Sequence, residues 1–381
     1  MQFFATCARG TEGPLRSELA ALKLKHLHGE RGGVAFAGDL EAGMKACLHS
    51  RVAMRVLLEL ARFPAPDADA LYEGARSVDW TEWLTARTTL AVESTLRESA
   101  LTHSGFTSLK VKDAVVDVLR DKLGERPDVD SKAPDVRIVL HLARDEASLS
   151  LDLAGEPLHR RGYRAVTAVA PLKESLAAAV LALGGVELGL PFLDPMCGSG
   201  TLAIEHALRA RRIAPGLDRA FSFQRWPRYR GGWQSIWDRM KVEAKAGELT
   251  HAPAPIVASD YHPKAIAAAQ ACAQAAGVAA DIRIEKADAR DARPFAEAGT
   301  ICTNPPYGER IAGEQGGRSR SLQLGGLYRG FAEALERFQG WDAVLLSGSP
   351  LLERELKRKP EISHRLWNGP LEVKLLKYRI R

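Results

Sequence analysis

Cysteine is scarce and badly spaced for cross-linking. Cys7, Cys47, Cys197, Cys272 and Cys302 lie far apart, with no CxxC pair among them. That excludes a disulfide framework and a cysteine-based zinc site as the basis of the fold, and a reducing compartment is expected. No apolar run is long enough to span a bilayer. The first residues, Met1–Arg9, lack a charged leader followed by an apolar stretch. The expectation is a cytoplasmic protein with no membrane partner and no metal. Charge of one sign is also missing: 53 Lys+Arg stand against 47 Asp+Glu, a net +6. So mild an excess suits an anionic partner without demanding one. There are no internal repeats and no low-complexity tracts. What is present is an ordinary globular composition, 46% hydrophobic and 26% charged over 381 residues. Such a chain builds large cores without staples, and two domains is the prior.

The chain changes texture near Pro171. Before it, Gln2–Cys7, Gly33–Phe36 and Val52–Leu60 read as strands, with helices at Glu12–Leu22 and Leu40–His49. This is a βαββαβ-like rhythm, a small α+β unit. Phe63–Asp67, with two prolines, reads as a linker. Beyond it, Ala70–Ala86 looks helical and Thr89–Thr95 strand-like. Leu109–Leu123 is an amphipathic helix stopped by Gly124, and Val136–Leu142 with Ala147–Leu153 form a hairpin. After Pro171 come a helix at Leu172–Leu183 and strand-turn-helix modules starting at Phe192, Ile256 and Thr300. A helix follows at Leu327–Phe338 and a strand at Ala343–Ser347. Alternation of this kind argues for a parallel, doubly wound sheet, and Leu371–Ile380 after Asn368-Gly369-Pro370 for a terminal hairpin. A long segment between the first two core strands is too aromatic for disorder, which points to function.

The first module carries Asp194-Pro195-Met196-Cys197-Gly198-Ser199-Gly200-Thr201 between a strand and a helix. In open α/β sheets ligands bind outside the carboxyl ends of the strands. Glycines there allow positive φ and close approach, and the helix N-terminus offers unpaired N–H donors. No Lys follows Gly200, so this is not a nucleotide triphosphate loop, and only Ala203 could supply the last position of a dinucleotide fingerprint. Asp-x-x-x-Gly-x-Gly looks instead like the first motif of class I methyltransferases. Asp260 then ends the strand at Ile256 and can accept from both ribose hydroxyls. Asp288 ends the next strand and can receive an adenine amine. Any one acid here could be a mere turn residue, but three at successive strand ends outweigh that. The expected cofactor is S-adenosylmethionine. Its candidate contacts are Asp194, Pro195, Met196, Cys197, Gly198, Gly200, Thr201, Asp260, Tyr261, Asp288, Ala289 and, bordering the same pocket, Asn304.

Asn304-Pro305-Pro306-Tyr307 follows the fourth core strand and is the most specific signal in the chain. An exocyclic amine on a base is a poor nucleophile, since its lone pair is delocalised into the ring. Two acceptors aimed at its N–H bonds would orient it and stabilise the developing charge. The Asn304 side-chain carbonyl and the Pro305 main-chain carbonyl suit that role, and Tyr307 can stack on the base. No strong general base is needed. A base within a helix has to be flipped out to reach such a pocket.

These residues resemble the THUMP-domain guanine-N2 RNA methyltransferases, and most nearly the branch acting on bacterial 23S ribosomal RNA. Further matches are Arg161–Arg164 leading to Ala170–Ala177, Ile213–Gly216, Trp226-Pro227 and Asn368–Glu372. Ala5–Glu12 is a looser match to a ferredoxin-like opening. The resemblance implies a class I methyltransferase, Rossmann-like sheet over 165–381 with its terminal antiparallel hairpin. It implies a ferredoxin-like subdomain at 1–62 and a THUMP RNA-binding domain at 67–155 before it. It also implies that Asn304, Pro305, Pro306 and Tyr307 hold the target guanine. The substrate would be structured RNA, 23S ribosomal RNA first and transfer RNA second, acted on by a monomer. Some ribosomal relatives carry a second methyltransferase after this region; this sequence stops at Arg381, which leaves the target open.

Basic stretches supply candidate RNA contacts: Arg160, Arg161 and Arg164; Arg225, Trp226, Arg228, Tyr229 and Arg230; and Arg310. For Arg225–Arg230 the interleaved aromatics suggest stacking on bases. Three other readings compete. A cysteine-nucleophile C5-pyrimidine methyltransferase would need a reactive Cys197 or Cys302. A DNA or protein amine could be the acceptor. A non-catalytic RNA-binding or ribosome-assembly role would leave the cofactor pocket without purpose.

Overall fold

The computed structural model describes residues 1–164, 172–307 and 317–381, and the side chains of all of these except 230 and 317–321. They fall into two units. One is made of Met1–Cys7, Arg16–Leu158 and Asp218–Glu243; the other of Ala8–Leu15, His159–Leu217 and Ala244–Arg381. Each unit therefore takes in a short piece from the other's stretch of sequence.

The first unit begins with β1 (Gln2–Thr6), α1 (Glu12–Ala21), β2 (Lys25–Glu30), β3 (Gly33–Ala37), α2 (Leu40–His49) and β4 (Arg55–Pro64). This is the βαββαβ order, completed by β2, a strand that the sequence reading does not locate. Sequence patterning passes over β2 because Lys-His-Leu-His-Gly-Glu has no apolar alternation; it is an exposed edge strand. Then follow α3 (Ala68–Arg76), β5 (Leu90–Arg97), α4 (Ser104–Leu123), β6 (Val136–Ala143) and β7 (Glu146–Asp152). All seven strands make one sheet in the order β2-β3-β1-β4-β7-β6-β5.

The expected linker at Phe63–Asp67 is corrected by this sheet. Phe63 and Pro64 continue β4 and pair with Ala147 and Glu146. β1 pairs with β4 only as far as Glu59, so beyond that residue one side of β4 has no β1 donor or acceptor to meet, and a proline costs no ladder bond there. Asp67 then caps α3, accepting from Asp69 N and Ala70 N at 3.1 and 2.8 Å. The expected helix Ala70–Ala86 is likewise shorter. It ends at Arg76, and Asp79 starts a separate 3-10 turn over Trp80–Glu82. On α4, Thr107, Val111, Ala114, Val115, Val118 and Leu119 repeat at helical spacing and are buried. Gly124 stops that helix in the left-handed region at φ +77°.

The second unit contains α5 (Glu174–Leu183), β8 (Phe192–Asp194) and α6 (Thr201–Ala210). After α7 (Gln234–Ala246) come β9 (Ile256–Asp260), α8 (Pro263–Ala275), β10 (Ile282–Lys286) and β11 (Thr300–Thr303). The chain closes with α9 (Gly317–Leu335), β12 (Asp342–Ser347), α10 (Pro350–Leu356), β13 (Ile362–Asn368) and β14 (Leu371–Arg379). The sheet runs β10-β9-β8-β11-β12-β14-β13. Six strands run in one direction, and β14 inserts antiparallel between β12 and β13. This is the class I methyltransferase, Rossmann-like arrangement with its terminal hairpin.

Strand periodicity builds two cores. Phe192, Ile256, Ala258, Cys302, Val344 and Leu346 point to one face and pack with residues of α5, α6 and α8. Their alternates Leu193, Val257, Ile301, Ala343 and Leu345 pack with Tyr328, Phe331, Leu335 and Leu352 of α9 and α10. Burial on both faces is what a parallel sheet requires. α9 starts ten residues before the expected Leu327, through Gly325 and Gly326, whose low helix propensity hides it in the sequence. Among the described residues no helix is long and apolar enough to cross a membrane.

Candidate active site

Because β8 to β11 are parallel, the residues ending them leave the sheet along one edge. Asp194 closes β8 opposite Ala258, and Asp260 closes β9 opposite Lys286. The glycine turn lies across those ends. Cys197 N donates to Ser259 O at 2.9 Å, and Gly198 N to Asp260 Oδ2 at 2.9 Å. Asp260 Oδ1 accepts from His262 N at 2.9 Å. Two expected cofactor residues, Gly198 and Asp260, are thus joined by a main-chain donor. Gly198 and Gly200 sit at φ +54° and +78°, where a side chain would be strained. A Cβ on Gly200 would stand 3.2 Å from Ala269 Cβ, whereas one on Gly198 would meet nothing within 4 Å. Gly198 faces open space.

The acids differ in character. Asp194 is 1% exposed, and burial pushes its carboxyl up to about 7. The folded state therefore holds a proton here that the unfolded chain, titrating near ~3.9, releases at lower pH. This contribution to stability is present at acid pH and is lost as pH rises through about 7. Asp194→Asn is expected to raise the melting temperature relative to the parent at pH 8, and by less at pH 5. Melts at the two pH values check this; a gain independent of pH would contradict it.

Asp288, just past β10, accepts from Arg290 through N and Nε at 2.9 Å each and through Nη2 at 2.6 Å. The Arg290 guanidinium holds its carboxyl below the usual range. Tyr261 is 68% exposed. Pro195, Cys197, Thr201 and Ala289 are buried, and Met196 is half-buried, so most of these line the turn from within. Burial pushes the Cys197 and Cys302 thiols well up, which removes the thiolate that a C5-pyrimidine mechanism needs.

Asn304 follows β11 on the same edge. Its Oδ1 is buried and has no hydrogen-bond partner among the described residues. Such an acceptor is costly to leave unmade, so it marks a place for a ligand donor. Pro306 O accepts from the hydroxyl of Tyr328. The Tyr307 hydroxyl accepts from Asn368 Nδ2 at 3.2 Å. The Tyr307 ring lies against Gly348, where a Cβ would stand 2.1 Å from its Cδ2. One edge of this ring is thus spoken for by protein. Tyr328 and Gly348 are absent from the sequence-derived site. Their contacts join positions 22 and 41 residues along the chain, and no local pattern marks them; Asn368 is legible as a turn residue and in the family match, but not as a partner of Tyr307.

The residues fit a nucleoside bearing an amino-acid tail. Gly198 opens onto free space, and the first turn of α6 begins at Gly200 with no side-chain cap, leaving donors for a carboxylate. Asp260 and Asp288 lie farther along the same edge.

Of the expected RNA contacts, Arg161, Trp226 and Tyr229 are buried, and Arg164, Arg225 and Arg228 are paired with acids. Arg161 has 4% of its side chain exposed and pairs with Glu205 at 3.6 Å. Arg164 donates to Glu174 Oε1 through Nε and Nη2 at 3.1 and 2.8 Å. Arg225 pairs with Asp135 at 2.9 Å and donates to Pro134 O at 2.7 Å. Arg228 pairs with Glu82 at 2.8 Å and lies over Trp83. Trp226 is 1% exposed, edge-on to Trp83, and Tyr229 is buried beside Phe223. Neither ring can stack on a base without leaving its core. The reason is local: acids and aromatics distant in sequence claim these groups first. Arg160 is exposed. The Arg230 side chain and all of Arg310 lie outside the described residues.

The family described as the RMKL-like methyltransferase domain matches residues 161–376, the THUMP domain 65–152 and the RlmL ferredoxin-like domain 2–57. The chain is 42% identical over 394 residues to "Ribosomal RNA large subunit methyltransferase K/L" of Syntrophotalea carbinolica, covering 100% of this chain and 54% of that protein. It is 41% identical to the protein of that name from Methylococcus capsulatus, covering 99% and 51%. The chain thus spans about half the length of these curated relatives. It is 38% identical to "Putative RNA methyltransferase slr0064" of Synechocystis, covering 99% of this chain and 96% of that one. Among solved structures, SMU.472, a putative methyltransferase complexed with SAH, has a TM-score of 0.89 at 28% identity, covering 100% and 98%. TrmN from Thermus thermophilus has a TM-score of 0.71 at 25% identity, covering 100% and 99%.

Proposed function

The chain belongs to the RMKL-like methyltransferase family, and on that premise we propose that it methylates the exocyclic N2 of a guanine in structured RNA, 23S ribosomal RNA before transfer RNA. The observation that carries this reading is the buried Asn304 Oδ1, without a partner among the described residues, on the edge that also bears Asp194 and Asp260. S-adenosylmethionine, when bound, supplies an electrophilic methyl group. Gly198 and the uncapped start of α6 would hold its amino-acid end, Asp260 its ribose hydroxyls and Asp288 its adenine amine.

Asn304 Oδ1 accepts one N–H of the guanine amine and the Pro305 carbonyl accepts the other. Both dipoles point at the nitrogen on which positive charge develops, and they need no reorganisation when it does. The amine gives up its extra proton to solvent, so Asn304 need not be a base. Tyr307, with its ring set on Gly348, offers its remaining surface to the base. Residues 1–62 and 67–155 grip RNA while 165–381 carry the chemistry, in a cytoplasmic monomer.

The test uses the full chain with S-adenosylmethionine and RNA from cells that lack the gene, read by nucleoside mass spectrometry. N2-methylguanosine is expected to appear in the large-subunit ribosomal RNA. Its appearance in transfer RNA alone would move the substrate. No new methylated nucleoside in either, with cofactor binding shown by thermal shift, would leave an RNA-binding role without catalysis.

A further inference from the structure

Two adjacent prolines give the segment after β11 no main-chain N–H at 305 or 306. Its carbonyl directions are therefore not set by donors of its own, and something outside must fix them. The hydroxyl of Tyr328, on α9, donates to Pro306 O. Tyr328 is wholly buried, packed among Phe331, Leu335 and Ile301. Burial raises its phenol to about 12, so it remains a donor throughout the range in which RNA is intact. On the other side, Asn368 at the end of β13 holds the Tyr307 hydroxyl at 3.2 Å. Asn304 comes just before both anchored residues, its Oδ1 unpartnered among the described residues.

We propose that Tyr328 is a positioning residue for methyl transfer. By committing the Pro306 carbonyl to a protein donor, it fixes the Pro306–Tyr307 peptide plane just after the two acceptors, Asn304 Oδ1 and the Pro305 carbonyl, which are left for the amine. This rests on the RNA methyltransferase reading above. Tyr328 does not meet the base; it acts through the loop, and its loss misdirects the acceptors. Misplacement by about an ångström costs on the order of a hundredfold in rate. The reaction itself is unchanged, since Tyr328 neither gains nor loses a proton in it.

Tyr328→Phe keeps the ring that fills the core and removes only the donor. The full-length variant should transfer methyl groups at least about tenfold more slowly in kcat. Its KM for RNA and its Kd for S-adenosylhomocysteine by calorimetry should match the parent. Its pH profile should run parallel to the parent's, whereas a proton-transfer role would change the shape. A crystal structure of the variant with S-adenosylhomocysteine should show the Pro306–Tyr307 peptide turned. Parental kcat with an unmoved loop overturns the proposal, as does a loss confined to KM or Kd. If the parent chain itself transfers no methyl group to RNA, the functional reading falls. The crystallographic arm then still decides the anchor: a turned peptide supports it and an unmoved one overturns it.

Discussion

Asn304→Ala is expected to lower methyl transfer by on the order of a hundred- to a thousandfold, the cost of removing one preorganised polar group from a developing charge. Cofactor affinity should change little, because the proposed cofactor contacts are Gly198, Asp260 and Asp288. The reason lies in the state of Oδ1 before substrate arrives. It is buried and without a partner among the described residues, so the protein has already met its desolvation cost. An incoming N–H recovers that cost only when the base is in place. Asn304→Ala removes the acceptor and the penalty together, so the folded chain should be no less stable. Single-turnover rates on RNA, with calorimetry of S-adenosylhomocysteine, separate the two effects. Undiminished transfer would reject Asn304 as the acceptor; lost cofactor binding with an intact single-turnover rate would make it a cofactor residue instead.

The second large effect concerns stability. Trp226→Ala is expected to cost about 3–5 kcal/mol, the usual range for emptying a core aromatic site. Trp226 is 1% exposed and edge-on to Trp83 at 5.7 Å between ring centroids. Nearby, Phe221 and Phe223 stack at 5.4 Å and both meet Trp237 edge-on. Denaturant melts followed by tryptophan fluorescence read the loss. Trp226→Phe should retain most of the stability, because the indole Nε1 has no partner among the described residues to lose. If Trp226→Ala melts like the parent yet binds RNA weakly, the stacking role suggested by the sequence returns.

These two positions also show what a sequence can disclose. Asn304 is legible because its neighbours are unusual: paired prolines after an apolar strand have few structural uses. The strand-end acids are legible because a parallel sheet places successive strand ends side by side, so spacing along the chain becomes position along an edge. Arg225–Tyr229 is ambiguous for the opposite reason. A run of arginines and rings reads alike whether it faces water or is claimed by Asp135, Glu82 and Trp83 from other parts of the chain. β2 and the first turns of α9 are hidden by composition, one too polar for a strand and the other too rich in glycine for a helix. The contacts of Tyr328 and Gly348 arise only when distant segments meet.

The exchange of short segments has a consequence for synthesis. Arg9 lies over Trp367, and Gly10 O meets His364 Nε2 at 2.8 Å, so residues from the first turn of the chain find their neighbours only when β13 has been translated. Trp83 in turn waits for Trp226. A nascent chain leaving the ribosome would thus carry Trp83 uncovered until Trp226 is made, and Arg9 without its ring until almost the end. Neither half, expressed as a fragment cut near Leu158, would emerge with its own core complete.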